Sequence, residues 1–173
     1  TIRMVSREGP VAAIGDVNGD GLEDVFMGEA TNGIPKIYLQ RNGNFELFNP
    51  TQFEGSGFFE DTAAEFFDAD NDGDLDLFVG SGGNHRPVGD RFMSDRIYFN
   101  DGRGNFTWNR RAIQPSGFNT AFAIPLDFDQ DGDTDLIVGS RSVPNQYGRV
   151  PQSYLYENDG QGRFRDITAS KAR

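Results

Sequence analysis

Three stretches of the chain place oxygen donors at alternate positions around a turn: DVNGDGLED (Asp16 to Asp24), DADNDGDLD (Asp68 to Asp76) and DFDQDGDTD (Asp127 to Asp135). Ca²⁺ takes about 6–8 hard oxygen ligands at roughly 2.3–2.6 Å, and a short loop supplies them by turning alternate side chains inward. Positions 1, 3 and 5 carry Asp or Asn: Asp16, Asn18, Asp20; Asp68, Asp70, Asp72; Asp127, Asp129, Asp131. Position 6 is Gly21, Gly73 or Gly132, which fits a sharp turn where a Cβ is costly. Position 7 varies among Leu22, Asp74 and Asp133, as expected of a ligand that acts through its backbone carbonyl, and position 9 returns to Asp24, Asp76 and Asp135. The spacing predicts three Ca²⁺ sites. The first has one carboxylate fewer than the others and is expected to be the weakest.

An EF-hand loop shares the first seven positions but needs a bidentate Glu at position 12 and flanking helices. Here position 12 is Met27, Val79 or Val138. The residues after each loop, VFMG, LFVG and LIVG, are short and rich in strand formers, so the elements that position the donors are predicted to be hairpin strands.

Composition agrees with metal loops. The formal charge of the 173 residues is −11, and without the thirteen aspartates of the three loops the balance is +2. The acidity is therefore local, and no basic stripe suited to nucleic acid is present. Without cysteine there is neither a disulfide framework nor a thiolate site, which also counts against a thrombospondin-type calcium repeat. No run of about 18 apolar residues exists, so no membrane-spanning helix is predicted, and no signal peptide is visible. Thr1 in place of Met suggests a processed or excised piece. Calcium usage suggests a secreted, cell-surface or periplasmic setting.

The loops recur at spacings somewhat above 50 residues, and each sits in a unit of four strand-like runs. These are VAAIG, DVFMG, KIYLQ and NFELF; AEFF, DLFVG, RIYFN and NFTW; FAIPL, DLIVG, SYLYE and RFRDI. The turns RNGNF, NDGRGNF and NDGQGRF join the third and fourth runs, with Asn, Asp and Gly at tight-hairpin positions. The expected fold is all-β: a β-propeller segment, 1–173, of three four-stranded antiparallel blades over about 9–54, 62–115 and 120–170. Sixteen phenylalanines suit packing between blades, and Trp108 is read as part of it.

The units GDVNGDGLEDVFMG, FDADNDGDLDLFVG and LDFDQDGDTDLIVG, each followed by a Tyr-containing strand and an Asn-Gly or Asn-Asp-Gly turn, resemble FG-GAP/VCBS repeats of the integrin α-subunit type and of secreted bacterial VCBS-repeat proteins. The resemblance implies a propeller blade with Ca²⁺ between its first and second strands, in rings of about six to eight blades. Three blades leave such a ring open. The counterpart of the segment before Asp16 begins upstream of Thr1, as in a fragment of a longer propeller. The alternative is closure by identical subunits.

Propeller topology puts the loops between second and third strands on the face opposite the metal turns. Two of them are long, SGGNHRPVGDRFMSD and SRSVPNQYGRVPQ, and carry His85, Arg86, Arg91, Arg141, Tyr147 and Arg149, a candidate face for carboxylates, sulfates or sugar rings. The predicted function is an extracellular calcium-binding scaffold for protein or carbohydrate ligands, as in adhesion. A calcium-dependent lectin, or part of a propeller-type polysaccharide lyase, is the alternative. With His85 the only histidine and no nucleophile constellation at fixed spacing, an enzyme is not expected.

Overall fold

Most of the predicted runs are short continuous stretches of apolar, strand-forming residues, and in the computed structural model, which describes residues 10–49 and 51–171, these runs form three sheets. The first holds β1 (Ala12–Gly15), β2 (Asp24–Met27), β3 (Lys36–Arg41) and β4 (Asn44–Phe48); the second β5 (Asp61–Phe67), β6 (Asp76–Ser81), β7 (Arg96–Asn100) and β8 (Phe106–Trp108); the third β9 (Asn119–Leu126), β10 (Asp135–Ser142), β11 (Tyr154–Asn158) and β12 (Phe164–Asp166). Each sheet is an antiparallel meander in which every strand pairs with its neighbours in the chain. Among the described residues, helical structure is confined to a 3₁₀ turn, Arg91–Met93, and a short helix α1, Thr168–Lys171. The expectation that the chain starts inside an earlier blade concerns residues 1–9, which lie outside the described residues, as does Pro50.

Two strands extend further upstream than their apolar pattern suggests. β5 begins at Asp61 rather than Ala64, and β9 at Asn119 rather than Phe122. Bulges continue the pairing through polar residues there, and the Thr62 hydroxyl donates to Thr120 O at 2.7 Å, tying the second sheet to the third. β10 likewise runs on to Ser142, so Arg141 lies in a strand and not in the loop expected for it.

The register decides which side chains share a face. Ala13, Phe26, Ile37 and Leu39 of the first sheet pack against Phe66, Leu77, Val79, Tyr98 and Phe106 of the second. On its far side the second sheet sets Ala63, Phe67, Phe78 and Ile97 against Ala123, Leu136, Val138, Tyr156 and Phe164 of the third. Two layers of core thus lie between three sheets. Both outer faces stay open: Ile14 is 63 % and Phe45 56 % exposed on the first sheet, and Phe122 48 % and Ile124 49 % on the third.

Candidate metal centres

Each acidic loop joins the first two strands of its sheet and folds through the same hydrogen bonds. The N–H of position 6 donates to the carboxylate of position 1: Gly21 to Asp16 at 2.7 Å, Gly73 to Asp68 at 3.0 Å and Gly132 to Asp127 at 3.1 Å. The N–H of position 7 donates to the carboxylate of position 5, at 2.9 Å in all three loops. Position 6 has φ of +82°, +91° and +96°, which explains its glycine. Position 4 is also left-handed, with φ of +72° at Gly19, +61° at Asn71 and +65° at Gln130, a demand that its varied residue types did not reveal.

The buried aspartate at position 9 latches the loop. One oxygen of Asp76 accepts from Ala69 N at 2.9 Å and the other from Asn100 N at 2.8 Å. Asp24 does the same with Val17 and Gln40, and Asp135 with Phe128 and Asn158. The next carboxylates close around it. Ligand oxygens of Asp68, Asp70 and Asp76 lie within 4.8 Å of one another, as do those of Asp127, Asp129 and Asp135. Asp72 and Asp131 stand outside these groups, their oxygens turned to the position-7 amides.

Electrostatics in these clusters favours a compensating positive charge. Burial, opposed by the amides of Asn100 and Ala69 and reinforced by Asp70 and Asp72, pushes Asp76 up to about 7. Burial raises Asp70 too, aided by Asp72 and Asp68, and burial raises Asp135 in the third loop. Asp68 Oδ1 and Asp70 Oδ1 are buried without a hydrogen-bond partner. Carboxylate oxygens that no donor satisfies, grouped at this separation, fit a hard divalent cation.

The first loop differs. Asp16 is held below the usual carboxylate range: slight burial raises it, but the amides of Gly21, Asp20, Gly19 and Asn18 lower it further. Four of the loop's own amides donate to the two Asp16 oxygens, against two at Asp127 and one at Asp68, and neutral Asn18 stands where the other loops have an acid.

Side chains from the following unit join the loops together. Asn100 Nδ2 donates to Val17 O of the first loop at 2.8 Å and to Leu75 O of the second at 3.1 Å. Asn158 repeats this between Ala69 O and Thr134 O, at 2.8 and 3.0 Å. Asn71 of the second loop donates to Asp133 of the third at 2.5 Å. The carboxylates of Asp74 and Asp133 lie against Gly102 and Gly160 in the adjoining hairpin turns. The sequence reading missed Asn100 and Asn158, although their shared place at the end of the third strand was a visible cue.

At the opposite end of the sheets the long loops meet: Asn145 Nδ2 donates to Arg86 O at 3.0 Å. The residues expected there as a ligand face are largely engaged with the protein itself. His85 lies between Glu60, at 3.4 Å from Nδ1, and Thr31, at 3.3 Å from Nε2. Arg86 donates to Phe58 O at 3.1 Å, faces Asp90 at 3.6 Å and covers the Phe92 ring. Arg149 donates to Gln146 at 2.7 Å, whereas Tyr147 projects fully into solvent. Arg91 lies over the Phe92 ring.

Beneath them is a buried polar network that the sequence reading also missed. Arg96 and Asp61, each 1 % exposed, pair at 2.5 Å, with the guanidinium over Phe59 and the second Asp61 oxygen accepting from Glu29 N at 2.8 Å. Asp95 accepts from Ser81 N, Thr120 and Ser116; burial pushes it up to about 6 despite those donors and neighbouring Arg96.

Among known proteins, the chain is similar to phosphatidylinositol-glycan-specific phospholipase D of Mus musculus, 38 % identical over an alignment 109 residues long that covers 56 % of this chain and 13 % of the relative. The chain thus spans a small part of that protein's length. Residues 16–79, from the first position of the first loop to the middle of β6, match the FG-GAP-like repeat. The three loops, their hairpins and this match lead to one conclusion: the chain carries an FG-GAP-like repeat.

Proposed function

We propose that the chain is a run of Ca²⁺-stabilised propeller blades that serves outside the cell as a scaffold for binding protein or glycan ligands. The observation that carries this reading is the pair of carboxylate clusters repeated in phase with the sheets, that of the second loop with unsatisfied buried oxygens on Asp68 and Asp70. Asp68, Asp70 and Asp76 would hold one ion and Asp127, Asp129 and Asp135 another, with Asp16, Asn18, Asp20 and Asp24 as a weaker third set. Asp72 and Asp131 would join by rotating from their amides, and Leu22, Asp74 and Asp133 through backbone carbonyls. A bound ion supplies charge neutralisation that rigidifies the turn. Because Asn100 and Asn158 join successive loops, that rigidity extends from sheet to sheet.

The outer faces support the propeller reading, with the three units as its blades. Ile14, Val25, Met27, Tyr38 and Phe45 share one face of the first sheet, left partly or largely exposed. Their counterparts Phe66, Leu77, Val79, Tyr98 and Phe106 in the second sheet are buried under the first. In the third sheet Leu136, Val138, Tyr156 and Phe164 are buried under the second. At the other end, Ile124, Ile137 and Leu155 present the face that the earlier sheets bury with Phe26 and Ile37, or Phe78 and Ile97. Each open face therefore suits another sheet of the same kind, from a longer chain or an identical subunit. Sedimentation velocity on the isolated chain is expected to show head-to-tail association that Ile14→Asp and Ile124→Asp each abolish. A monomer at the highest soluble concentration would overturn this part of the reading.

The phospholipase activity in the relative's name belongs to a protein of which this chain matches 13 %, and it is not carried over here. The binding role is tested by a panel of immobilised glycans and extracellular matrix proteins, probed with Ca²⁺ and with chelator and followed by an assay for polysaccharide cleavage. Calcium-dependent retention without cleavage is expected. Cleavage would replace the scaffold by the lyase reading.

A further inference from the structure

A cleft of about 280 Å³ opens at the end of the second sheet away from the metal loops, between the β4–β5 connection, the β6–β7 loop and the exit of β8. Phe59, Phe92 and Trp108 build it as a contiguous aromatic wall, Phe59 meeting both other rings edge-on at 5.3 and 5.8 Å. Phe58 stands beside Phe92 with more than half its surface in water, an apolar ring for which folding supplies no cover. Two guanidinium groups complete the lining: Arg91 lies 4.5 Å above the Phe92 ring and Arg110 4.0 Å above Trp108. Among the described residues neither has an acidic partner, although the chain carries a net charge of −11. Arg86 nearby shows the contrast, since it has Asp90 and a backbone carbonyl to satisfy it.

From this juxtaposition we infer that the cleft binds a carboxylate-bearing sugar ring, such as a uronic acid residue of a glycan. A guanidinium stacked on an aromatic ring is held in place without using its N–H edge, so its donors remain available for a planar carboxylate. Phe58 offers the apolar face on which the C–H side of a pyranose packs. The volume is near the lower limit for ligand pockets and suits one ring. An acidic peptide fits less well. Extended peptides bind by adding to a sheet edge, and the adjoining edge strand β8 is only three residues long. The assignment rests on the scaffold reading for its choice of a glycan and deepens it by naming the ligand class and the place.

Trp108 is the only tryptophan, so its fluorescence reports from inside the cleft. Titration of the chain with sodium glucuronate, at ionic strength held constant with sodium chloride, is expected to change that fluorescence saturably, whereas glucose leaves it unchanged. Arg91→Ala and Arg110→Ala are each expected to weaken the response about tenfold, with melting temperatures unaltered. No saturable change, an equal response to glucose, or full binding in both arginine variants would overturn the assignment. So would a response to an acidic peptide such as tetraglutamate in place of glucuronate. If glucuronate fails while the matrix panel retains the chain, the cleft assignment falls and the scaffold reading stands.

Discussion

Withdrawal of Ca²⁺ by a chelator is expected to lower the melting temperature of this chain by about 10–20 °C. An ion that binds only the folded loop adds about 2.7 kcal/mol when present at 100 times its dissociation constant, so two such sites together contribute about 5 kcal/mol. For a chain of this size each kcal/mol corresponds to roughly 2–4 °C. The loops supply the physical reason. Asp70 and Asp76 are raised by burial and by the acids beside them, so folding brings together carboxylates that oppose one another until a cation neutralises them. Asp70→Asn should reproduce part of the loss of calcium stabilisation, while raising the stability of the chelated protein by relieving that opposition. Thermal melts of both proteins, with and without chelator, check this; an unchanged midpoint on chelation would contradict it.

Asp61→Ala is expected to cost about 3–5 kcal/mol, the usual result of leaving a buried charge without its partner. Arg96 is fully enclosed, its guanidinium between Asp61 and the Phe59 ring, and burial opposes its charge while Asp61 and Tyr98 support it. Removing the carboxylate also deprives Glu29 N of its acceptor. The double variant Asp61→Ala with Arg96→Met removes both charges and should recover part of the loss, because the desolvation of two ions disappears with them. Urea unfolding of the two single variants and the double variant gives the coupling directly. A single variant within about 1 kcal/mol of the native chain would show that water reaches this pair.

The acidic loops and their strands were legible in sequence because their signals are local and repeat. Alternate aspartates, a glycine at position 6 and apolar runs on both sides recur three times in register, and the apolar runs supply the two layers of core between the sheets. What escaped notice depends on contacts between distant segments. Asp61 sits in the polar stretch Glu60-Asp61-Thr62, which reads as a loop, and the arginine that neutralises it lies 35 positions later. Asn100 and Asn158 look like ordinary hairpin residues until the carbonyl of the preceding loop, 83 or 89 positions away, is seen within reach. The long loops read as a free ligand face because their arginines and histidine are polar. Glu60, Thr31 and Asp90, which engage His85 and Arg86, are brought to them only by the packing of the first two sheets and the fold of the loop. Composition showed sixteen phenylalanines, but not that Phe58, Phe92 and Trp108 would leave a cleft with two arginines stacked on its rings.

The most direct test of calcium binding by these loops is an anomalous difference map from crystals grown with calcium. Strong peaks are expected inside the groups Asp68, Asp70, Asp76 and Asp127, Asp129, Asp135. A weaker peak is expected in the first loop, where the carboxylate of Asp16 is already taken by four amides. Absence of density from the second and third loops, or fullest occupancy in the Asp16 loop, would contradict the account.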